Sequence, residues 1–186
     1  MAKHPHPSPK SGHEASHGHS ATAEHKARGP VSIGCGVITC SDTRTPETDK
    51  SGQLIQEMLS QQGHHIPMYA VVKDEPEEVQ KMLESLGHNT QIGAVIFNGG
   101  TGISQRDTTF EAIDGLLEKR MVGFGEIFRY LSYKDIGSSA MLSRATAGLY
   151  KGKVIFSIPG SSGAVRLAME QLILPELPHI VGELHK

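Results

Sequence analysis

The chain predicts an α/β fold, a mostly parallel sheet covered by helices on both faces. Three observations carry this. Short apolar, β-branched runs alternate with segments of helical periodicity in the order β-α-β-α-β-α through residue 117, the arrangement that builds parallel sheets through helical crossovers. Two later strand-like runs, 145–150 and 153–158, are joined by Lys151-Gly152 alone. A connection that short allows a hairpin, so one strand runs against the rest. Polar or glycine-rich loops follow the strands at 41–46, 73–75, 98–107 and 159–163, and strands that share a direction bring such loops to one edge of the sheet.

Taken in order, residues 31–40 read as the first strand, ending in Ser41-Asp42-Thr43-Arg44-Thr45-Pro46. Leu54, Ile55, Met58 and Leu59 recur at helical spacing, with Gly63 as a cap at the far end. Residues 68–72 form the second strand. Asp74-Glu75-Pro76-Glu77 then starts a helix, with Asp74 as the capping side chain and Pro in the first turn. This helix carries Val79, Met82, Leu83 and Leu86 inward and stops near Gly87. Residues 92–97 are the third strand, and Thr108-Thr109-Phe110-Glu111 reads as a Thr-x-x-Glu capping box that opens a helix through Leu116-Leu117. Ile127, Phe128, Tyr130 and Leu131 mark a further helix, and 138–142 another. A last helix follows Pro159-Gly160-Ser161-Ser162-Gly163 and buries Val165, Leu167, Leu172 and Ile173.

Composition divides the chain sharply. Residues 1–29 hold six of the eleven histidines and hardly any large apolar side chain. Such a segment cannot bury enough surface to offset its ordering entropy, so it is expected to be a disordered tail ahead of one domain over 30–186. The net charge of −2, with no Lys/Arg cluster interleaved with aromatics, argues against nucleic acid as a partner. No apolar run is long enough for a membrane span or a signal-peptide core. Cys35 and Cys40 lie an odd number of positions apart in one strand, so they face opposite sides of the sheet and can share neither a disulfide nor a metal. Both read as small core residues of a reducing compartment, and the expected location is cytoplasmic.

The run Phe97-Asn98-Gly99-Gly100-Thr101-Gly102, followed closely by Arg106-Asp107, is the most informative stretch. Glycine turns often serve geometry alone. An adjacent base and acid have no packing reason to sit beside one, which turns the reading toward a ligand site at the carboxyl edge of the sheet. The familiar phosphate loops do not match: no Lys follows the glycines in a Walker register, and the Gly-x-Gly-x-x-Gly pattern fails here and at Gly34-Cys35-Gly36. This argues against an ordinary kinase or nicotinamide-dependent dehydrogenase.

With its loops in order, the chain resembles the MoaB/MogA family of molybdenum cofactor biosynthesis, which includes the G domains of gephyrin and its plant counterpart. The resemblance covers residues 31–180. It rests on Ser41-Asp42-Thr43-Arg44-Thr45 with Asp49 and Ser51-Gly52, Asn98-Gly99-Gly100-Thr101-Gly102 with Arg106-Asp107-Thr108-Thr109, Gly123-Phe124-Gly125-Glu126, Leu142-Ser143-Arg144 and Pro159-Gly160-Ser161. The opening motif looks more like MoaB than MogA, and the family's Thr-Pro is Thr109-Phe110 here.

The resemblance implies a three-layer α/β/α domain with a five-stranded sheet, one strand of it antiparallel, assembled as a trimer or hexamer. It implies molybdopterin, a pterin with a dithiolene and a terminal phosphate, as ligand, and other proteins of that pathway as partners. MogA-like members transfer AMP from Mg-ATP to this phosphate and release pyrophosphate, so two readings stand: a molybdopterin adenylyltransferase, or a non-catalytic molybdopterin binder. By the same resemblance Asp107 and Asp74 are the catalytic acids that hold Mg²⁺. Gly99, Gly100, Thr101 and Gly102 would supply N–H groups and a hydroxyl to a phosphate, and Pro159, Gly160 and Ser161 would form a second anion site. Ser41 and Asp42 would line the pocket, Glu126 would accept from the pterin N–H edge, and Arg144 would bind phosphate. Each has a structural alternative: a helix or loop cap for Asp74, Ser41 and Asp42, a charge at a helix start for Glu126, and a salt bridge for Arg144. Two acids near phosphates favour the enzyme, since pterin binding alone does not require them.

Overall fold

The computed structural model describes residues 30–186; the expected histidine-rich tail over 1–29 lies outside the described residues. Strands β1 (Gly34–Cys40), β2 (His65–Val72), β3 (Ala94–Asn98), β4 (Lys119–Arg120), β5 (Thr146–Tyr150) and β6 (Lys153–Ile158) form one sheet in the order β2-β1-β3-β6-β5-β4. The pairs β1–β2, β1–β3 and β3–β6 are parallel, and β5 runs antiparallel to both of its neighbours. The hairpin at Lys151-Gly152 is as expected. Both residues have positive φ, 47° and 72°, which matches a tight turn to the twist of its strands. The sheet has six strands where the resemblance implied five: β4 is two residues long and carries a charged Lys-Arg sequence with no apolar signal.

Helices α1 (Lys50–Gln61), α2 (Pro76–Gly87), α3 (Thr109–Asp114), α4 (Val122–Ile136), α5 (Ser162–Ala168) and α6 (Leu174–Leu184) cover the sheet. Ile55 and Leu59 of α1, Phe124 and Phe128 of α4, and Val165, Ile173 and Leu177 from the C-terminal helices pack on Cys35, Val37, Ile96 and Phe156. Val79, Leu83 and Leu86 of α2, with Ala112 and Ile113 of α3, pack on Cys40, Val95, Phe97 and Ile155. Period-two alternation thus feeds two cores from one set of strands, and the two cysteine thiols fall on opposite faces, as their spacing requires.

Two expected helix caps are corrected. The α2 cap is Glu75, with no side-chain cap bond, because the Asp74 carboxylate reaches across to the loop after β3. There Oδ1 accepts from Thr109 N (3.1 Å) and Oγ1 (2.9 Å). The Thr108–Glu111 box does not form either: Thr108 makes no side-chain cap bond, and Glu111 pairs with Arg144. Asp74 therefore caps α3 from outside its own segment. That helix ends at Asp114, short of Leu116-Leu117, so that Glu118 N–H and Met121 N–H can bond to Leu149 and Ala147 carbonyls beside β4. The expected helix at 138–142 is a 3₁₀ segment, Gly137–Leu142. Between α5 and α6 the helix widens into a π turn, Met169–Ile173, which ends two residues before Pro175. Proline has no N–H to continue the regular ladder, so the register relaxes ahead of it.

The chain passes from β1 out to β2 and then back across to β3, so the sheet order reverses between β1 and β3. In open α/β sheets the crevice at such a switch point is where ligands bind.

Candidate functional site

A cleft of about 630 Å³ opens at this switch point, lined from all four loops that follow parallel strands. The expected convergence of 41–46, 73–75, 98–107 and 159–163 is therefore realised. Two of its lining glycines stand where a side chain would collide with backbone or with neighbouring side chains. Gly99 has φ +103° and a Cβ there would stand 2.2 Å from the Cys40 carbonyl oxygen, where the loop crosses the end of β1. At Gly100 (φ +57°) a Cβ would stand 2.3 Å from both Asp74 Oδ2 and Thr109 Oγ1. Gly99→Ala is thus expected to lower the melting temperature by at least about 4 °C, since strain of about 2 kcal/mol at this chain length corresponds to such a shift. An unchanged thermal unfolding curve would show that the loop yields without cost.

Beneath the glycine turn lies a polar network buried between β1, β2, β3 and α1. Asp49 has no exposed surface and caps α1 by accepting from Gly52 N (3.0 Å). It also accepts from Thr39 Oγ1 and from Tyr69 Oη (2.9 Å). Asn98, the last residue of β3, donates to Thr39 Oγ1 (2.8 Å) and Ile38 O (3.3 Å). The Ser51 hydroxyl lies 2.8 Å from Asn98 Oδ1 and 3.0 Å from Asp49 Oδ1. Burial pushes the Asp49 carboxyl up, but the hydrogen bonds from Thr39, Gly52, Tyr69 and Ser51 outweigh it and hold it below the usual range. Arg44 extends the network upward, donating to Ser51 Oγ and to Gly160 O (3.1 Å), with Asp49 Oδ1 at 3.6 Å. This ties the loop after β1 to the turn after β6.

The acids flank the glycine turn. Asp74 uses Oδ1 on α3, and Asp107 uses Oδ2 on Ser104 N (2.9 Å). Asp74 Oδ2 and Asp107 Oδ1 have no hydrogen-bond partner among the described residues, and both acids line the cleft. No group of three or more His, Cys, Asp or Glu able to hold a metal occurs among the described residues. Two unpartnered carboxylate oxygens beside a glycine turn are donors of the kind that Mg²⁺ takes, since it binds one or two carboxylates and completes its shell with water and phosphate. Cys40 also lines the cleft, but burial pushes its thiol up to about 12, which rules out a thiolate nucleophile near neutral pH.

Of the residues singled out in the sequence, Asp107, Asp74, Gly99, Gly100, Thr101, Gly102, Ser41, Asp42, Pro159, Gly160 and Ser161 all line the cleft. The hydrogen bonds and positions of several of the residues singled out bear on their expected roles. Gly99 N–H donates to Ile158 O (3.0 Å) and is not available to a ligand, whereas the N–H groups of Gly100, Thr101 and Gly102 have no partner among the described residues. Arg144 does not line the cleft. It donates to Thr101 O (2.9 Å), Gly102 O and both Glu111 oxygens, and stacks over Phe110, so it holds the glycine turn from behind. Glu126 is exposed on α4 and is not among the lining residues. Ser41 Oγ accepts from Thr43 N and Arg44 N (3.3 and 3.2 Å), the loop-capping alternative. Ser161 caps α5 through Ala164 N (3.3 Å).

Sequence reasoning singled out Arg106 beside the glycine turn without giving it a role, and did not select Arg44, Ser132 or Asp135 as site residues, nor the apolar rim formed by Ile136, Leu142, Ala164 and Leu167. Ser132 and Asp135 stand three apart on α4, so the spacing of polar residues along that helix was the available signal. The cleft is thus polar at the glycine turn and along Ser132 and Asp135 of α4, and its apolar rim comes from Ile136 at the end of α4, Leu142 of the 3₁₀ segment and Ala164 and Leu167 of α5.

Comparison with known proteins agrees with this geometry. A family model described as "Probable molybdopterin binding domain" matches residues 36–179. Molybdenum cofactor biosynthesis protein B of Bacillus cereus is 55% identical over 167 residues, covering 89% of this chain and 99% of that protein. A crystal structure of a molybdenum cofactor biosynthesis protein B superposes with a TM-score of 0.82 at 57% identity, covering 84% of this chain and 98% of the other. The tungsten cofactor synthesizing protein MoaB from Pyrococcus furiosus gives a TM-score of 0.75 at 38% identity, with 84% and 99% covered.

Proposed function

The chain belongs to the family of probable molybdopterin binding domains found in molybdenum cofactor biosynthesis proteins, and from that premise we propose that it is a molybdopterin adenylyltransferase. The reaction joins the terminal phosphate of molybdopterin to the α-phosphorus of ATP as the bond to the β-phosphate oxygen breaks and pyrophosphate leaves. The observation that carries this reading is the pair of acids that line the cleft beside the glycine turn, each with one oxygen that has no hydrogen-bond partner among the described residues. Pterin binding alone does not require two carboxylates near phosphates.

Adenylyl transfer brings two anions together, so charge neutralisation and alignment make up most of the catalysis. Asp74 and Asp107 would hold a Mg²⁺ that came with ATP, which would supply positive charge to the phosphate oxygens. The open N–H groups of Gly100, Thr101 and Gly102 would donate to a phosphate without reorganising, since Arg144 already fixes the carbonyls of Thr101 and Gly102. Ile136, Leu142, Ala164 and Leu167 would cover the face of the ring and exclude water. The test is AMP incorporation from labelled ATP with molybdopterin and Mg²⁺. A protein that binds molybdopterin but never transfers AMP would instead be a non-catalytic binder. No helix among the described residues is long and apolar enough to cross a membrane.

The same reading carries self-assembly into a trimer or hexamer. Ile127, Tyr130, Tyr133, Met141 and Leu142 are at least half exposed on α4 and the 3₁₀ segment after it, an apolar face of the kind that protein interfaces cover. Light scattering is expected to give three or six chains, and Ile127→Asp to dissociate them. A monomer at micromolar concentration would contradict this.

A further inference from the structure

The cleft poses an electrostatic problem for a phosphate ligand. Its lining holds four carboxylates, Asp42, Asp74, Asp107 and Asp135, against two guanidiniums, Arg44 and Arg106. Arg44 is committed to Ser51, Asp49 and the Gly160 carbonyl. Arg106 is placed differently. Its side chain is 71% exposed, its Nη2 donates to Asp42 Oδ2 at 2.8 Å, and Glu75 Oε1 lies 3.8 Å away. The pair links the loop after β3 to the loop after β1 and to the start of α2.

Resting on the reading of the cleft as a phosphate site, we infer that Arg106 is its exchangeable cation: the guanidinium leaves Asp42 for a phosphate of the ligand, and Asp42 is its competitor rather than a ligand contact. An exposed ion pair is weakly held. A guanidinium matches phosphate in a bidentate fork, and a phosphate bearing more than one charge outcompetes a single carboxylate. Glu75 remains close enough to receive the guanidinium when no phosphate does. Asp42 thereby acquires a role opposite to the one its position alone implies, since it opposes anion binding while keeping Arg106 beside the glycine turn.

The two residues should shift affinity in opposite directions. With the full chain, calorimetric titration of inorganic pyrophosphate in the presence of Mg²⁺ is expected to show Arg106→Gln binding about tenfold more weakly than wild type, as for loss of one charged hydrogen bond. Asp42→Asn is expected to bind about threefold more tightly, a gain within the range of an exposed ion pair. That gain should vanish when Asp42→Asn is combined with Arg106→Gln, because there is then no guanidinium to release. Both positions are surface-accessible, and unchanged melting temperatures for the three variants verify that the fold is intact. A gain of equal size in both backgrounds would overturn the inference, since Asp42 would then act through its charge alone. Arg106→Gln binding like wild type would overturn it too, leaving the phosphate-site reading in place. Failure of wild type to bind pyrophosphate or ATP at all would remove that reading and this inference together.

Discussion

Asp107→Asn is expected to lower adenylyl transfer by at least about two orders of magnitude, the scale of removing one key electrostatic group (about 3 kcal/mol). Asn keeps the size of the side chain and can still accept from Ser104 N through its amide oxygen, so the turn at 104–107 should persist. What is lost is the charge on the unpartnered oxygen. Molybdopterin should bind about as well as before, because the apolar rim that would cover a ring is built from other elements, the end of α4, the 3₁₀ segment and α5. Labelled-ATP incorporation and a molybdopterin binding titration, run side by side, separate the two effects. Equal turnover in mutant and wild type would remove Asp107 from the mechanism.

The largest effect on stability is expected at Asp49. Asp49→Ala leaves Thr39, Tyr69 and Gly52 N–H in a buried space without their shared acceptor, and deleting one member of such a network costs about 3–5 kcal/mol. At this chain length that corresponds to a fall of roughly 10 °C in melting temperature. The pH dependence follows from the sign of the shift. The folded carboxyl titrates below its unfolded value of 3.8, so its contribution is fully present above that value and is lost as pH falls through the lower, folded one. Wild type should therefore lose stability on acidification more steeply than Asp49→Ala. Tyr69 offers a second readout: burial first, and then its bond to Asp49, push the phenol up to about 12, and the mutation should bring its titration down. A denaturation midpoint equal to wild type would show that the network carries no stability.

Both experiments probe features that differ in how plainly the sequence announces them. Strands flanked by glycine loops, the hairpin at Lys151-Gly152 and the two-sided cysteines were legible because each follows from local periodicity or loop length. So was the gathering of four loops at one edge, which topology alone requires. Long-range side-chain partners were not. Asp74 precedes a helix in every local respect, yet its carboxylate serves α3, 35 positions further on. Arg144 could have faced a ligand or a carboxylate, and only the fold places it behind the glycine turn. Thr108 and Glu111 spell a capping box that tertiary contacts override, one partner drawn to Asp74 and the other to Arg144. The strand β4 escaped notice because two charged residues carry no pattern.

That same β4 bears on how copies of the chain can meet. At one border of the sheet stands a two-residue strand of Lys119 and Arg120, both exposed. At the opposite border β2 carries Pro67 where its register with β1 slips between Gly34 and Gly36. A foreign strand arriving at the first border meets two positive charges and a ladder too short to hold it. At the second it meets a missing N–H and a kink. Both margins thus carry features that disfavour strand addition, which leaves the helical surfaces as the better place for copies of the chain to meet.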